Sequence, residues 1–194
     1  MKIILLCICS SLFYIACKEK ASTPKPHAFP RVYYPKKEYQ SFDTNCPYSF
    51  QYPKYAKIEN LYTIEKGWQP YWNNINYLPF NATLHLSYNA FKNRVEFDSL
   101  FEDTRKLAYK HTIKADDIIE VDIFNPITQT SGLIFDLKGN TATNLNFYIS
   151  DGKKHFLRGA LYFNSKTTID SIEPVFQFIR QDVLKLIETT KWKN

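Results

Sequence analysis

Residues 81–89, NATLHLSYN, alternate strictly: Ala82, Leu84, Leu86 and Tyr88 fall on one side of an extended chain, Thr83, His85 and Ser87 on the other. Successive strand side chains point to opposite faces, so the pattern predicts a half-buried β-strand. Upstream, Tyr48, Phe50 and Tyr52 alternate with polar or small residues until Pro53 interrupts, and Tyr55–Glu59 resumes an extended run. Proline cannot donate to a ladder, so these segments are expected as strands near a sheet edge.

The period then changes to 3.6. Phe97, Leu100, Phe101, Thr104, Leu107, Ala108 and His111 form one stripe of a helix, with Ser99 and Glu102 spaced as a capping box. Four extended runs follow, at 117–124, 131–137, 143–150 and 155–163. Between the last two, Asp151-Gly152 predicts an antiparallel hairpin closed by a type I′ turn. The chain closes on a second stripe, Ile172, Val175, Phe176, Ile179, Val183, Leu186, Ile187 and Thr190. With Ser171 as N-cap, Pro174 is expected at the third helical position, where its missing N–H has no partner to lose.

Strands, a helix, four strands and a helix make an α+β domain with a mostly antiparallel sheet covered by two amphipathic helices. The element order is compatible with an α/β/α sandwich like the PsbP/Mog1 group. The segment GWQPYWNNINYLPF, which mixes aromatic residues with turn formers, reads either as satellite core under a long loop or as a set of rigid anchors for a partner. Trp68, Tyr71, Trp72 and Tyr77 are the partner-binding candidates.

The N-terminus changes the picture from a free domain to an anchored one. Ile3–Ala16 is an uncharged, mostly apolar run of 14 residues behind Lys2. As a helix it rises about 21 Å, short of the roughly 30 Å hydrocarbon core, so it reads as a signal peptide rather than a span. Small Ala16 directly before Cys17 looks like a lipobox, in which the cysteine thiol receives a diacylglycerol before cleavage; Tyr14 stands where leucine is usual. The alternatives are a retained hydrophobic anchor, or plain secretion with Cys17 as a spare thiol. The expected organisation is a lipoprotein signal peptide over 1–16, a lipidated Cys17 and proline-rich tether over 17–45, and a single α+β domain over 46–194. At about 3.3 Å per residue the tether would reach up to about 90 Å, with Phe29, Val32 and Tyr34 able to lay part of it along the domain.

Removing the leader removes Cys7, Cys9 and Lys2, so the formal charge falls from +6 to +5 and only Cys17 and Cys46 remain. With Cys17 lipidated, Cys46 has no partner for a disulfide and reads as a small buried hydrophobe. The basic excess is scattered, which argues against nucleic acid as a partner and suits a surface of anionic lipid. A catalytic constellation is not apparent: G-x-S-x-G, a glycine-rich phosphate cradle and H-E-x-x-H are all missing from the sequence. His27, His85, His111 and His155 are dispersed without metal-ligand spacing, and Asp116-Asp117 reads as a turn before a strand. The expectation is no catalytic residue, no metal and no cofactor beyond covalent diacylglycerol and an N-acyl chain such as palmitate on Cys17. The competing reading is a periplasmic small-ligand binder or enzyme with a pocket lined by Trp68, Trp72 and Tyr77.

The strings TPKPHAFPRVYYPKKEYQSFD, CPYSFQYPKYAKI, LHLSYN, LAYKHTIKAD, FLRGALYFN and LIETTKW follow one another behind this leader. In that order they resemble the gliding-motility lipoprotein GldD family of Bacteroidota, over essentially the whole mature chain. The resemblance implies a cell-envelope lipoprotein required for gliding, whose machinery overlaps type IX secretion, and other envelope proteins of that machinery as partners. It carries over only Cys17. Surface-export signals in these bacteria place several acidic residues after the cysteine, whereas Glu19 here sits between Lys18 and Lys20, and Asp does not follow Cys17. The expected location is the outer membrane, facing the periplasm.

Overall fold

The computed structural model describes residues 32–60, 71–110, 115–139, 141, 143–164 and 169–193. Along them run β1 (Tyr39–Phe42), β2 (Tyr48–Pro53), β3 (Lys57–Asn60), β4 (Asn73–Tyr77), a 3-10 turn (Leu78–Phe80) and β5 (Ala82–Ala90). Then come α1 (Arg94–Tyr109), β6 (Asp117–Asn125), β7 (Thr130–Lys138), β8 (Thr143–Ser150), β9 (His155–Phe163), α2 (Ile169–Thr189) and β10 (Lys191–Trp192). Seven strands form one sheet in the order β3-β4-β5-β9-β8-β7-β6, and β1-β2-β10 form a second. Every pairing is antiparallel, so the fold is α+β with two amphipathic helices, as the element order implies.

Register assigns the two faces of the large sheet. Leu84 pairs with Leu161, Leu161 with Leu145, and Ile134 with Phe147, which places these side chains on one face. Together with Ile75, Tyr77, Leu86 and Leu157 they pack against Val175, Phe176, Ile179, Val183, Leu186 and Ile187 of α2 and against Tyr48 and Phe50 of β2. The second helical stripe is therefore the core stripe, and the small sheet lies beside α2 over the same face. The opposite face presents Phe135, Tyr148 and Phe156 to α1, where Phe97 meets Phe156 at 5.9 Å and Phe101 meets Tyr148 at 5.4 Å. Asp136 on β7 holds Arg180 of α2 through two bonds of 2.8 and 3.2 Å, a fork-to-carboxylate contact that fixes the helix rotation.

Several local expectations are corrected. α1 starts six residues early: Asn93 is its N-cap, its side chain accepts Glu96 N–H at 3.0 Å, and the Glu96 carboxylate accepts Lys92 N–H at 2.8 Å. The helix is thus capped by Asn93 and Glu96, whose carboxylate reaches the residue before the N-cap, and not by Ser99 and Glu102. α2 also starts early, at Ile169, so Ser171 is not its N-cap and Pro174 lies inside the helix. The β8–β9 connection is antiparallel as expected, but only Gly152 has positive φ, at 68°, so it is not a type I′ turn. The Asp151 carboxylate organises the loop instead, accepting N–H bonds of 2.9 Å from Lys153, Lys154 and His155. β2 is the middle strand of its sheet; Pro53 is tolerated because β10 pairs only with Tyr48 and Ser49, leaving the proline end to β1 alone. β4 was hidden in the aromatic segment because three asparagines interrupt its apolar alternation.

Candidate functional site

The first functional question is how the chain enters the domain. Asp182, mid-way along α2, is 1% exposed. A lone buried carboxylate is costly, and this one is satisfied by three donors from two segments. Lys37 Nζ donates to Oδ1 at 2.7 Å, Tyr39 Oη donates to Oδ1 at 2.8 Å, and Tyr55 Oη donates to Oδ2. Lys37 also donates to the Phe178 carbonyl and lies 3.9 Å from the centre of the Phe178 ring. Burial, then the Asp182 carboxylate, push the Tyr39 and Tyr55 phenols well above their ordinary range, so both remain protonated donors. Tyr34 packs on Phe178 and Phe80 at 4.9 and 6.0 Å, and Val32 packs against the core. The expected boundary at residue 46 is therefore corrected: residues 32–45 belong to the folded unit, and the chain is clamped where it enters. Sequence reasoning flagged Val32 and Tyr34 but missed Lys37, Tyr39 and Asp182, whose partners lie more than 120 residues apart.

The aromatic candidates separate. Trp68 and Cys17 lie outside the described residues. Tyr71 is the most exposed of the rest, its ring edge-on to Tyr88 at 5.8 Å and its carbonyl accepting Tyr48 Oη at 2.7 Å. Trp72 is half-buried and donates to the Tyr88 carbonyl at 3.0 Å. Tyr77 is fully buried core and presents no surface to a partner or a ligand. Cys46 is buried and free, 3.8 Å from Asn73 Nδ2, which also donates to Tyr48 Oη at 2.7 Å.

Of the histidines, His27 and His111 lie outside the described residues, and His85 and His155 sit on opposite faces of the sheet. His155 is buried, its Nδ1 is 2.8 Å from Tyr88 Oη, and its ring stacks on Trp192 at 5.4 Å. Burial pushes the Tyr88 phenol up to about 12, so it donates and Nδ1 accepts. Asp116 and Asp117 are exposed, and Asp117 accepts its neighbour's Ile118 N–H, as a turn residue does. Exposed apolar side chains that the sequence pattern did not single out occur along β6 and its turn, Ile119 and Val121 on one face, Phe124 on the other and Ile127 beyond, on a strand whose outer edge has no partner among the described residues.

Among the described residues, no helix is long and apolar enough to cross a membrane. A family model described as gliding motility lipoprotein GldD matches residues 19–192. No curated protein matches the chain.

Proposed function

Because the chain belongs to the gliding motility lipoprotein GldD family, we propose that it is a non-enzymatic assembly component of the gliding machinery and of the type IX secretion apparatus that overlaps it. Family membership makes it a cell-envelope lipoprotein. In the proposed arrangement, residues 1–16 are a signal peptide, Cys17 carries diacylglycerol and an N-acyl chain, and the domain faces the periplasm from the outer membrane.

The observation that carries an anchoring role is the clamp of Lys37, Tyr39 and Tyr55 on Asp182. A tether that transmits position needs a firm point of entry, and this one ties the chain to the long core helix. With the chain held from Val32, only residues 18–31 are left to span lipid and domain. At about 3.3 Å per residue these reach up to about 46 Å, enough to clear a head-group layer and half of what a tether ending at residue 45 would allow. The buried polar groups around the clamp and around Asn73 are engaged with one another, which suits a rigid docking body better than a reaction centre.

The test is Cys17→Ala in cells. The substituted protein is expected in the soluble fraction, with gliding and secretion lost or weakened; full membrane retention after leader cleavage would refute the anchor. Rapid digestion by protease added to intact cells would refute the periplasmic placement.

A further inference from the structure

On the α1-facing side of the large sheet, Arg158 carries the one buried side-chain polar atom without a partner among the described residues. It projects from β9 between Ser87 of β5 and Tyr148 of β8, whose ring meets Phe97 and Phe101 of α1. Its Nε is buried without a hydrogen-bond partner, and none of the ion pairs among the described residues includes it. Burial lowers its basicity, and the Tyr162 phenol is the group that opposes this. Arg158 is half-buried, and a guanidinium whose Nε is shielded from water without a counter-ion is costly; its planar fork of donors matches a carboxylate or phosphate.

Beside it lies a hollow of about 220 Å³ lined by His85, Ser87, Arg158, Ala160 and Tyr162. Ala160 makes the floor: it faces His85 on one neighbouring strand and Asn146 on the other, and its short side chain leaves the space open. The surrounding polar groups are tied to each other. His85 Nδ1 lies 2.7 Å from Asn74 Oδ1, Thr83 donates to Asn76 at 3.1 Å, and Asn146 donates to Thr143 at 2.7 Å. The Ser87 and Tyr162 hydroxyls have no such bond among the described residues, so they and the Arg158 fork are the unspent donors. The volume is several times that of a water molecule yet below the roughly 300–1,000 Å³ of drug-sized sites, so it suits one compact group.

We propose that this hollow is a binding site for a compact oxyanion, a carboxylate or phosphate group, held by Arg158 with the hydroxyls of Ser87 and Tyr162. The site lies on the face of the large sheet opposite α2 and the clamp at Asp182, and stands whether or not the chain acts in secretion.

The test follows thermal unfolding of the full chain in detergent with sodium phosphate, sodium acetate or sodium chloride at equal ionic strength. A saturable rise in Tm with phosphate alone assigns a phosphate group, and with acetate a carboxylate; equal behaviour in all three salts overturns the proposal. Arg158→Met is expected to abolish the rise while the protein in chloride melts no lower than wild type, because an unpaired, half-buried charge has gone. Arg158→Lys, which keeps the charge but loses the fork, should weaken binding about tenfold. Tyr162→Phe preserves volume and removes one donor, so it reads the site even where Arg158→Met does not fold: a smaller anion-dependent rise supports the assignment, and a rise identical to wild type overturns it.

Discussion

The Lys37 ammonium sits 2.7 Å from Asp182 Oδ1, joining a residue at the entrance of the chain to one 145 positions later in the core helix. Asp182 has no exposed side-chain surface and Lys37 has 22%, so the pair is shielded on one side only. Asp182→Ala strands Lys37, Tyr39 and Tyr55 and is expected to cost about 3 kcal/mol, the lower end for a broken buried pair because Lys37 keeps some water. Lys37→Met should cost less, since both tyrosines still satisfy the carboxylate. Urea unfolding measures the difference, and limited proteolysis should cut Asp182→Ala first within residues 32–42. An Asp182→Ala variant as stable as wild type would show that the clamp does not hold the segment.

Acid should destabilise the fold through the buried imidazole of His155 and the half-buried one of His85. Burial lowers the pKa of His155, with Lys154 adding to the effect and Asp151 opposing it, and burial followed by Arg158 lowers that of His85. Each ring therefore binds fewer protons folded than unfolded just below its ordinary value of 6.5. Stability is full above that value and falls as pH drops through the window beneath it. The urea midpoint should fall between about pH 7.5 and about pH 5.5, and His155→Gln should flatten the fall. A midpoint unchanged over that range would contradict the assignment.

Trp192 shields His155 and donates to Thr130 Oγ1 at 3.0 Å. Trp192→Ala should cost about 2 kcal/mol, less than a fully buried tryptophan because this one is half-buried. It should also return the His155 pKa toward its ordinary value. Titration of the histidine ring signals by NMR reads the second effect independently of the first.

Gly159 lies opposite Phe147, and a Cβ there would overlap the Cε1 and Cζ atoms of a ring with no exposed surface. Gly159→Ala is therefore expected to cost about 1–3 kcal/mol by overpacking. Trimming the ring in a Gly159→Ala, Phe147→Leu double variant should recover part of that loss in the same unfolding assay. Equal or additive destabilisation by the second change would argue that the clash is not the cause.

Strands β5 to β9 were legible nearly to the residue, because a period of two in side-chain direction is a local property that a half-buried sheet imposes on its own sequence. The stripe from Val175 to Ile187 was legible for the same reason at period 3.6. β4 escaped because Asn73, Asn74 and Asn76 give an inner strand a polar composition, and only register shows that Ile75 and Tyr77 face the core. The N-cap was misplaced because Ser99-Glu102 and Asn93-Glu96 have the same spacing, and packing of Phe97 against Phe156 brings the helix start forward.

Local pattern thus determined the fold class, the core face of α2 and the family resemblance carried by short strings. Tertiary structure alone decided which charges are paired. Asp182 finds three donors from distant segments, whereas Arg158, on an ordinary alternating strand, enters none of the ion pairs among the described residues. Such pairing depends on contacts between residues far apart in sequence, and neither hydrophobic period nor residue spacing encodes which distant side chains will meet.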